Sequence, residues 1–218
     1  MTTLVLIRHG RSTANADGVL AGRAEGVELD DVGRDQASRL GELLSGVQIA
    51  GAYRSPSLRC QQTAELLGHP DAEVLDGLDE CDYGSWTNRS LAELAGEELW
   101  GTIQHTPSAV AFPEGESMTA MRDRAVAAVS SIRERHGSGD IAVLVSHGDV
   151  IKSILSDALA QNFDDFQRLN VAPASISIVV YQEQRPFVVC INANSDIAAM
   201  LATPAAPTVC WGDVAATE

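Results

Sequence analysis

The sequence predicts an α/β fold, a three-layer sandwich in which a mostly parallel central sheet has helices on both faces. Short apolar runs rich in β-branched residues alternate along the 218-residue chain with longer segments whose apolar residues recur at helical spacing. This alternation is typical of parallel sheets whose strands are joined by helices. Apolar residues form 45% of the chain and charged residues 21%, as in soluble globular domains, so we expect the chain to fold by itself.

The strands are predicted from short apolar runs. Three runs are rich in β-branched residues and a fourth follows them closely, at residues 4–7, 141–145, 176–181 and 187–191. Two weaker strand candidates lie at residues 49–53 and 74–75.

The helices are predicted from apolar residues that fall on one face, at residues 31–44, 57–67 and 117–135. Asp30 and Ser117 precede the first and third of these and are plausible N-caps. A fourth helix opens directly after the strand at 141–145, where the sequence DVIKSILSDALA places its apolar residues on one stripe.

The domain organisation is predicted to be one domain, at residues 1–203, followed by a C-terminal extension at residues 204–218 that is rich in Ala, Pro and Thr. Residues 84–115 are less periodic and look like a mixed helix and loop excursion over one end of the sheet. Long irregular segments are uncommon unless they are functional, so we expect substrate specificity to lie there.

The net charge of −15 argues against a nucleic-acid or anionic-membrane partner, because both bind to a basic protein surface. The chain has no apolar run of membrane-spanning length and its start lacks the pattern of a signal peptide, so we expect a cytoplasmic protein. Its four cysteines form no C-x-x-C pair, which indicates neither a disulfide framework nor a zinc site. A homodimer is one assembly that we consider.

Two of the predicted strands end in similar sequences, Arg8-His9-Gly10 and Ser146-His147-Gly148. In open α/β sheets the ligand crevice lies beyond the carboxyl ends of the strands, so His9 and His147 are expected to converge there. Each is followed by a glycine, which lets the backbone turn sharply and approach a ligand closely. Either tripeptide alone is equally consistent with an ordinary turn after a strand. The occurrence of two such tripeptides after two strands favours a functional site.

Two further segments carry candidate residues. In SPSLRCQQTAELL, residues 55–67, Arg59 lies about one turn inside a helix and can point back towards the strand ends. In LDECDYGSW, residues 78–86, Glu80 lies in a loop beside an aromatic residue, where its pKa could be raised as a general acid requires. Alone, the first is an ordinary helix start and the second a solvated loop glutamate.

Together these segments supply two imidazoles, two arginines and a carboxylate, a full set for phosphoryl transfer without a metal ion or cofactor. Arg8 and Arg59 offer planar forks that match phosphate oxygens. A neutral imidazole can attack phosphorus, and a protonated second one can stabilise the developing charge.

The ordered motifs RHGRSTAN, SPSLRCQQTA, LDECDYGSW, FPEGES and VSHGDVI resemble those of the histidine phosphatase superfamily, also called the phosphoglycerate mutase-like family. The resemblance implies that His9 is the nucleophile, that Arg8, Arg59 and His147 hold the phosphoryl oxygens, and that Glu80 is the proton donor. It also implies that Asn15 closes the phosphate pocket. Arg11 stands where the family often has glutamate and would add a cation near the pocket, and Cys60 stands where alanine is usual.

We therefore expect a phosphoric monoester hydrolase of the histidine acid phosphatase type, acting on a small phosphorylated metabolite through a phosphohistidine. Ser12, Asn15, Arg23 and Gly148 are the predicted substrate-binding residues. Two alternatives stay open: a phosphoglycerate mutase-type phosphomutase, and a pseudo-enzyme that only binds a phosphorylated partner.

Overall fold

The computed structural model describes residues 1–193. The predicted C-terminal extension, 204–218, and the last ten positions of the predicted domain, 194–203, lie outside the described residues.

The central element of the described part of the chain is one six-stranded sheet. Its strands are β1 (Thr2–Arg8), β2 (Gly51–Arg54), β3 (Glu73–Val74), β4 (Ile141–Ser146), β5 (Ile176–Tyr181) and β6 (Pro186–Ala193). The spatial order is β3-β2-β4-β1-β5-β6. The pairs from β3 to β1 are parallel, whereas β5 is antiparallel to β1 and to β6. Only β5 therefore runs against the others, and the predicted mostly parallel sheet is confirmed.

The α-helices are α1 (Thr13–Ala16), α2 (Asp31–Leu44), α3 (Leu58–Leu66), α4 (Leu91–Leu94), α5 (Glu98–His105), α6 (Met118–Arg135) and α7 (Gly148–Ala158). Both predicted caps are present. The side chain of Asp30 accepts a hydrogen bond from the Gly33 amide, and that of Ser117 accepts one from the Ala120 amide. Each cap satisfies an amide that has no partner within its own helix, which fixes where α2 and α6 begin.

Helices cover both faces of the sheet, as a three-layer sandwich requires. Alternate residues of β1 point to opposite faces. Leu4 and Leu6 belong to a core that includes buried residues of α6 and α7, whereas Val5 and Ile7 pack with buried residues of α2 and α3. The central strands are thus apolar on both sides, and their polar residues lie at the strand ends.

The predicted excursion at residues 84–115 contains short helices, as expected. Besides α4 and α5 it holds 3-10 helices at Gly84–Trp86 and Pro107–Ala109. Its aromatic residues are structural, since Trp86 is buried in the main core and stacks at a ring-centroid distance of 6.4 Å on Trp100. Among the helices of residues 1–193, none has both the length and the apolar character needed to cross a bilayer.

Candidate active site

Two neighbouring strands bring the histidines together. Arg8 at the end of β1 pairs with Ser146 at the end of β4, and the His9 amide donates to the Ser146 carbonyl at 3.0 Å. His9 and His147 follow in matching positions, with their ring centroids 5.2 Å apart. The parallel register of two central strands therefore places both imidazoles at one edge of the sheet, where the sequence predicted them.

His9 is buried and has a defined tautomer. Its Nδ1 lies 2.7 Å from the Gly10 carbonyl, so Nδ1 carries the proton, and its Nε2 accepts a hydrogen bond from Arg59 Nε at 3.2 Å. Burial, and then the charges of Arg59 and Arg8, lower the pKa of His9 well below its usual value. At neutral pH His9 is thus an uncharged imidazole with a lone pair on Nε2.

The two arginines are buried beside this imidazole. Nη1 of Arg8 donates to the Val171 carbonyl at 2.9 Å, and Nη2 of Arg59 donates to the Gly22 carbonyl at 2.8 Å. Within residues 1–193, Nη1 of Arg59 is buried with no hydrogen-bond partner. A guanidinium group in this state costs free energy, because a buried donor has lost water without gaining an acceptor. An anion that enters the cavity would provide that acceptor.

His147 is also neutral, which corrects one expectation. Its Nε2 lies 2.8 Å from Ser55 Oγ, and its Nδ1 lies 3.1 Å from Nη2 of Arg59. Burial, followed by Arg59, lowers the pKa of His147 well below its usual value. Nδ1 therefore accepts from Arg59 and Nε2–H donates to Ser55. A protonated His147 would require the negative charge of a phosphoryl group beside it.

Glu80 faces this cluster from the loop that follows the 3-10 helix Asp76–Leu78. Its Oε2 lies 3.7 Å from His147 Nδ1, and its Oε1 accepts from the Cys81 amide at 2.9 Å. Burial, and then the carboxylate of Asp149, raise the pKa of Glu80 to about 7. The carboxyl group can thus both give and take a proton near neutral pH, as the sequence context indicated.

His9, Arg8, Arg59 and Glu80 line one small cavity, and His147 lies behind it, against Arg59 and Glu80. Its volume is about 20 Å³, close to that of one or two water molecules. The first amides of α7 open beside it, and the N-terminus of a helix favours a bound anion. The lining residues are Arg8, His9, Asn15, Leu20, Ala21, Gly22, Arg59, Glu80, Tyr83, Gly148 and Asp149.

A family model described as the histidine phosphatase superfamily (branch 1) matches residues 4–194 of the chain. The chain belongs to this superfamily. It is 32% identical over 182 residues to an acid phosphatase of Mycobacterium tuberculosis, covering 82% of this chain and 86% of the relative. It is also 31% identical over 188 residues to a probable phosphoglycerate mutase GpmB of Citrobacter koseri, covering 84% of this chain and 86% of the relative.

Solved structures of similar fold agree with this assignment. Bacillus stearothermophilus YhfR superposes with a TM-score of 0.82 at 27% sequence identity, covering 89% of this chain and 98% of that chain. Relatives of this histidine phosphatase superfamily chain therefore include proteins named as phosphatases and as mutases.

Three of the four predicted substrate-binding residues lie at or directly behind the cavity of this histidine phosphatase superfamily site. Asn15 and Gly148 line it. Ser12 is fully buried and braces Asn15 as a capping box: the Ser12 amide donates to Asn15 Oδ1 at 2.9 Å, and the Asn15 amide donates to Ser12 Oγ at 3.2 Å. Ser12 thus orients Asn15.

Arg23 does not line the cavity, which differs from its predicted substrate-binding role. Its Nε donates to the Glu80 carbonyl at 2.8 Å, and its Nη2 donates to Glu116 at 3.0 Å. Arg124 binds the same carbonyl at 2.8 Å and also pairs with Glu116. Arg23 is therefore drawn towards the backbone of the Glu80 loop, because the carboxylate of Glu116 lies there.

The two residues that depart from the family pattern have local roles. Arg11 forms an ion pair with Asp30 at 2.6 Å and does not line the cavity, so it is not the additional pocket cation that we expected. Cys60 is fully buried, and burial raises the pKa of its thiol to about 11. A thiol of this pKa is an inert packing group at neutral pH.

Sequence reasoning missed Asp149 and Tyr83, which line the cavity, and Asp79 and Ser55, which support it. Ser55 Oγ donates to Asp79 Oδ1 at 3.0 Å, and Asp79 Oδ1 also accepts from the Glu80 amide at 2.9 Å. All four residues lie inside the motifs SPSLRC, LDECDYG and SHGDVI. Their place in these motifs was the one sequence signal that could have identified them as site residues.

Proposed function

We propose that this protein hydrolyses small phosphate monoesters through a phosphohistidine on His9, without a metal ion. The observation that carries the proposal is one cavity holding a neutral imidazole whose Nε2 carries a lone pair, two buried guanidinium groups and a carboxyl group whose pKa is about 7. These groups meet the requirements of metal-free phosphoryl transfer: a nucleophile, cations around the phosphoryl oxygens, and an acid.

In the first step, Nε2 of His9 attacks phosphorus and the bond to the leaving oxygen breaks. The electron pair of that bond goes to the leaving oxygen, which takes the proton of Glu80. Arg8 and Arg59 hold the remaining phosphoryl oxygens, assisted by Asn15 and the amide of Gly148. His147 donates to one of these oxygens only after a proton has joined its Nδ1 beside the bound anion. The Nη1 donor of Arg59 gains its acceptor here.

In the second step, water attacks phosphorus and gives a proton to the Glu80 carboxylate. The bond between phosphorus and Nε2 breaks, its electron pair returns to His9, and inorganic phosphate leaves. One carboxyl group serves as acid and then as base, which is efficient because its pKa lies near neutral pH.

A mutase is the second candidate, because one relative is named as a probable phosphoglycerate mutase. The charges around the cavity favour the hydrolase. Within residues 1–193, no cation other than Arg8 and Arg59 lines the cavity, so none is available for a second acidic group of the substrate. Arg89, the one basic residue of residues 84–115 apart from His105, forms an ion pair with Glu97 at 2.6 Å.

The experiment that tests the proposal compares wild type with H9A on p-nitrophenyl phosphate. We expect turnover to disappear in H9A while the fold is kept, because the covalent step is lost and the packing of β1 is unchanged. R59A should retain the nucleophile but lose about 10²- to 10³-fold in kcat, as on removal of one oriented charge-stabilising donor. H105A, at an exposed histidine, is the matched control.

A second readout tests the intermediate itself. Acid-free mass spectrometry of wild type quenched during turnover should show phosphorylation on the peptide that contains His9, and none on H9A. Hydrolysis by folded H9A near the wild-type rate would contradict the mechanism. Absence of any turnover in wild type, with phosphate bound, would favour the pseudo-enzyme.

A further inference from the structure

Asp149 is a carboxylate in a cavity that the proposed function fills with an anion. It is the second residue of α7, it is buried, and it lines the same cavity as His9 and Glu80. Tyr83 Oη donates to its Oδ2 at 3.2 Å, and Lys152 Nζ donates to its Oδ1 at 3.2 Å. A negative charge beside a phosphoryl site opposes substrate binding, so Asp149 must have a role other than binding the phosphoryl group.

The fold maintains this charge with a buried counterion. Lys152 lies one turn further along α7 and is only 1% exposed. Its Nζ also donates to Gln167 Oε1 at 3.1 Å and lies 5.6 Å from the centre of the Phe166 ring. Burial of two opposite charges is tolerated only when they are paired and hydrogen-bonded, as these are. The interior of the protein therefore holds Asp149 in place as one member of a buried ion pair.

The neighbours of Glu80 show what this charge does. Arg8 at the end of β1 and Arg59 of α3 face the Glu80 carboxyl group and favour its ionised form. His147 Nδ1 lies 3.7 Å away and is neutral. On the backbone side Arg23 and Arg124 bind the Glu80 carbonyl, and Asp79 binds its amide. Asp149 of α7 is the carboxylate whose charge raises the pKa of Glu80 most, after burial itself.

Phosphoryl transfer makes two demands that conflict in this cavity. The phosphoryl oxygens require two guanidinium groups, and these same groups draw the proton from the acid that must protonate the leaving oxygen. A fixed negative charge in the same cavity offsets the effect of the arginines on the acid.

We propose that Asp149, held by Lys152 and Tyr83, is a positioning residue whose negative charge keeps Glu80 in its proton-donating form. The inference rests on the proposed function. It assigns the buried Asp149–Lys152 pair to the chemistry of the first step, where the charge of Asp149 acts through Glu80.

The test is the pH profile of kcat/KM for an alkyl phosphate such as glycerol 1-phosphate, whose leaving oxygen requires a proton. The alkaline limb of this profile reports loss of the Glu80 proton. D149N keeps the shape of the side chain and removes its negative charge, so the alkaline limb should move to lower pH by about one unit. At pH 8 this corresponds to about a tenfold loss relative to wild type. The profile for p-nitrophenyl phosphate should move less, because p-nitrophenolate leaves without a proton.

Two further variants separate charge from structure. D149N removes the carboxylate that faces the buried Lys152 cation, which could prevent folding, so D149N/K152M removes both charges. Its alkaline limb should lie between those of wild type and D149N, because the nearer negative charge and the farther positive charge are removed together. S153A removes a buried hydrogen bond to the Asp149 carbonyl from the same helix without a change of charge, and it should leave the limb in place.

The outcomes are distinct. An alkaline limb that moves in the order wild type, double variant, single variant supports the proposal. A uniform loss at every pH with the limb unmoved, in either variant that folds, overturns it while the phosphatase assignment stands. A shift of the alkaline limb in S153A as large as the shift in D149N/K152M would also overturn the proposal and leave the phosphatase assignment intact. Wild type that fails to hydrolyse any monoester overturns the proposed function, and this inference with it.

Discussion

In the proposed mechanism Glu80 has the most demanding role, because one carboxyl group must give a proton in the first step and take one in the second. The buried surroundings that raise the pKa of Glu80 suit this role, but they lower the stability of the native state. A carboxyl group whose pKa is raised in the native state binds its proton more tightly there than in the unfolded chain. The native state therefore loses stability as the pH rises from the unfolded pKa, 4.5, to the native one, about 7.

E80Q should thus be more stable than wild type at alkaline pH. At pH 8 the ionised Glu80 of wild type costs about 3 kcal/mol, which glutamine removes, whereas below pH 4.5 both side chains are neutral and the difference should vanish. Urea unfolding at pH 5 and pH 8 measures this, with E93Q at an exposed position as the control. A stability difference that does not change with pH would contradict the raised pKa. Turnover of alkyl phosphates by E80Q should fall by about 10²-fold or more.

The N-terminus of α2 packs directly on the loop that carries His9. A Cβ added at Gly33 would lie 1.9 Å from the Arg11 carbonyl oxygen, and one added at Gly10 would lie 2.4 Å from the Gly33 carbonyl oxygen. Neither contact can be relieved by a side-chain rotation, because the neighbouring atoms are backbone. These two glycines therefore set the distance between the helix and the strand end, and with it the position of the imidazole.

G33A is expected to lower both stability and activity. The backbone of residues 10–11 must move away from α2, which should cost about 1–3 kcal/mol as overpacking does, and a displacement of His9 by part of an ångström should cost about 10- to 100-fold in kcat. G101A in α5 is the matched control, because nothing lies within 4 Å of the added Cβ. It should raise stability by about 0.5–1 kcal/mol and leave kcat unchanged. Equal activities in the two variants would show that the Gly33 contact does not position His9.

Elements were predictable from the sequence where a local signal decides them. The bounds of α2 follow from its Asp30 cap, and the two strand-end histidines follow from apolar runs that stop at a polar residue. The second strand begins later than predicted, at Gly51 instead of residue 49, because its pairing with β4, and not its apolar content, fixes its ends.

The direction of a polar side chain was not predictable, because distant residues decide it. Arg23 turns to the Glu80 loop on account of Glu116, which is 93 positions away. The periodicity of α7 likewise predicts one apolar stripe, yet Lys152, Ser153 and Ser156 on its other side are also buried. The 3-10 helix Phe163–Arg168 packs on this helix and provides Gln167, which accepts a hydrogen bond from the buried Lys152.

The charge of the whole molecule bears on the choice between hydrolase and mutase. The protein carries −15, a total that includes the carboxyl groups of Glu80 and Asp149 in the cavity, which two arginines also line. A bisphosphate must be retained between the half-reactions of a mutase, and this field would repel it. Water, which is neutral, is the acceptor that such a field does not oppose.

We therefore predict that hydrolysis exceeds mutase activity. Release of inorganic phosphate from the best monoester should outpace conversion of 3-phosphoglycerate to 2-phosphoglycerate in the presence of catalytic 2,3-bisphosphoglycerate. The two rates are measured on one preparation, with an authentic phosphoglycerate mutase as the positive control for the second assay. Efficient isomerisation that exceeds phosphate release from every monoester tested would mean that the cavity retains a bisphosphate despite its charges.

The two halves of the cavity are attached to the fold in different ways. His9 and His147 extend β1 and β4, the two central strands, so they can separate only if the sheet itself comes apart. Glu80 lies in a loop whose backbone is tied down by the side chains of Arg23 and Arg124. Local opening of such a loop costs much less free energy than global unfolding. We therefore expect that, on warming, the Glu80 loop opens while the sheet edge is still intact, so that the proposed activity would be lost at a lower temperature than the fold.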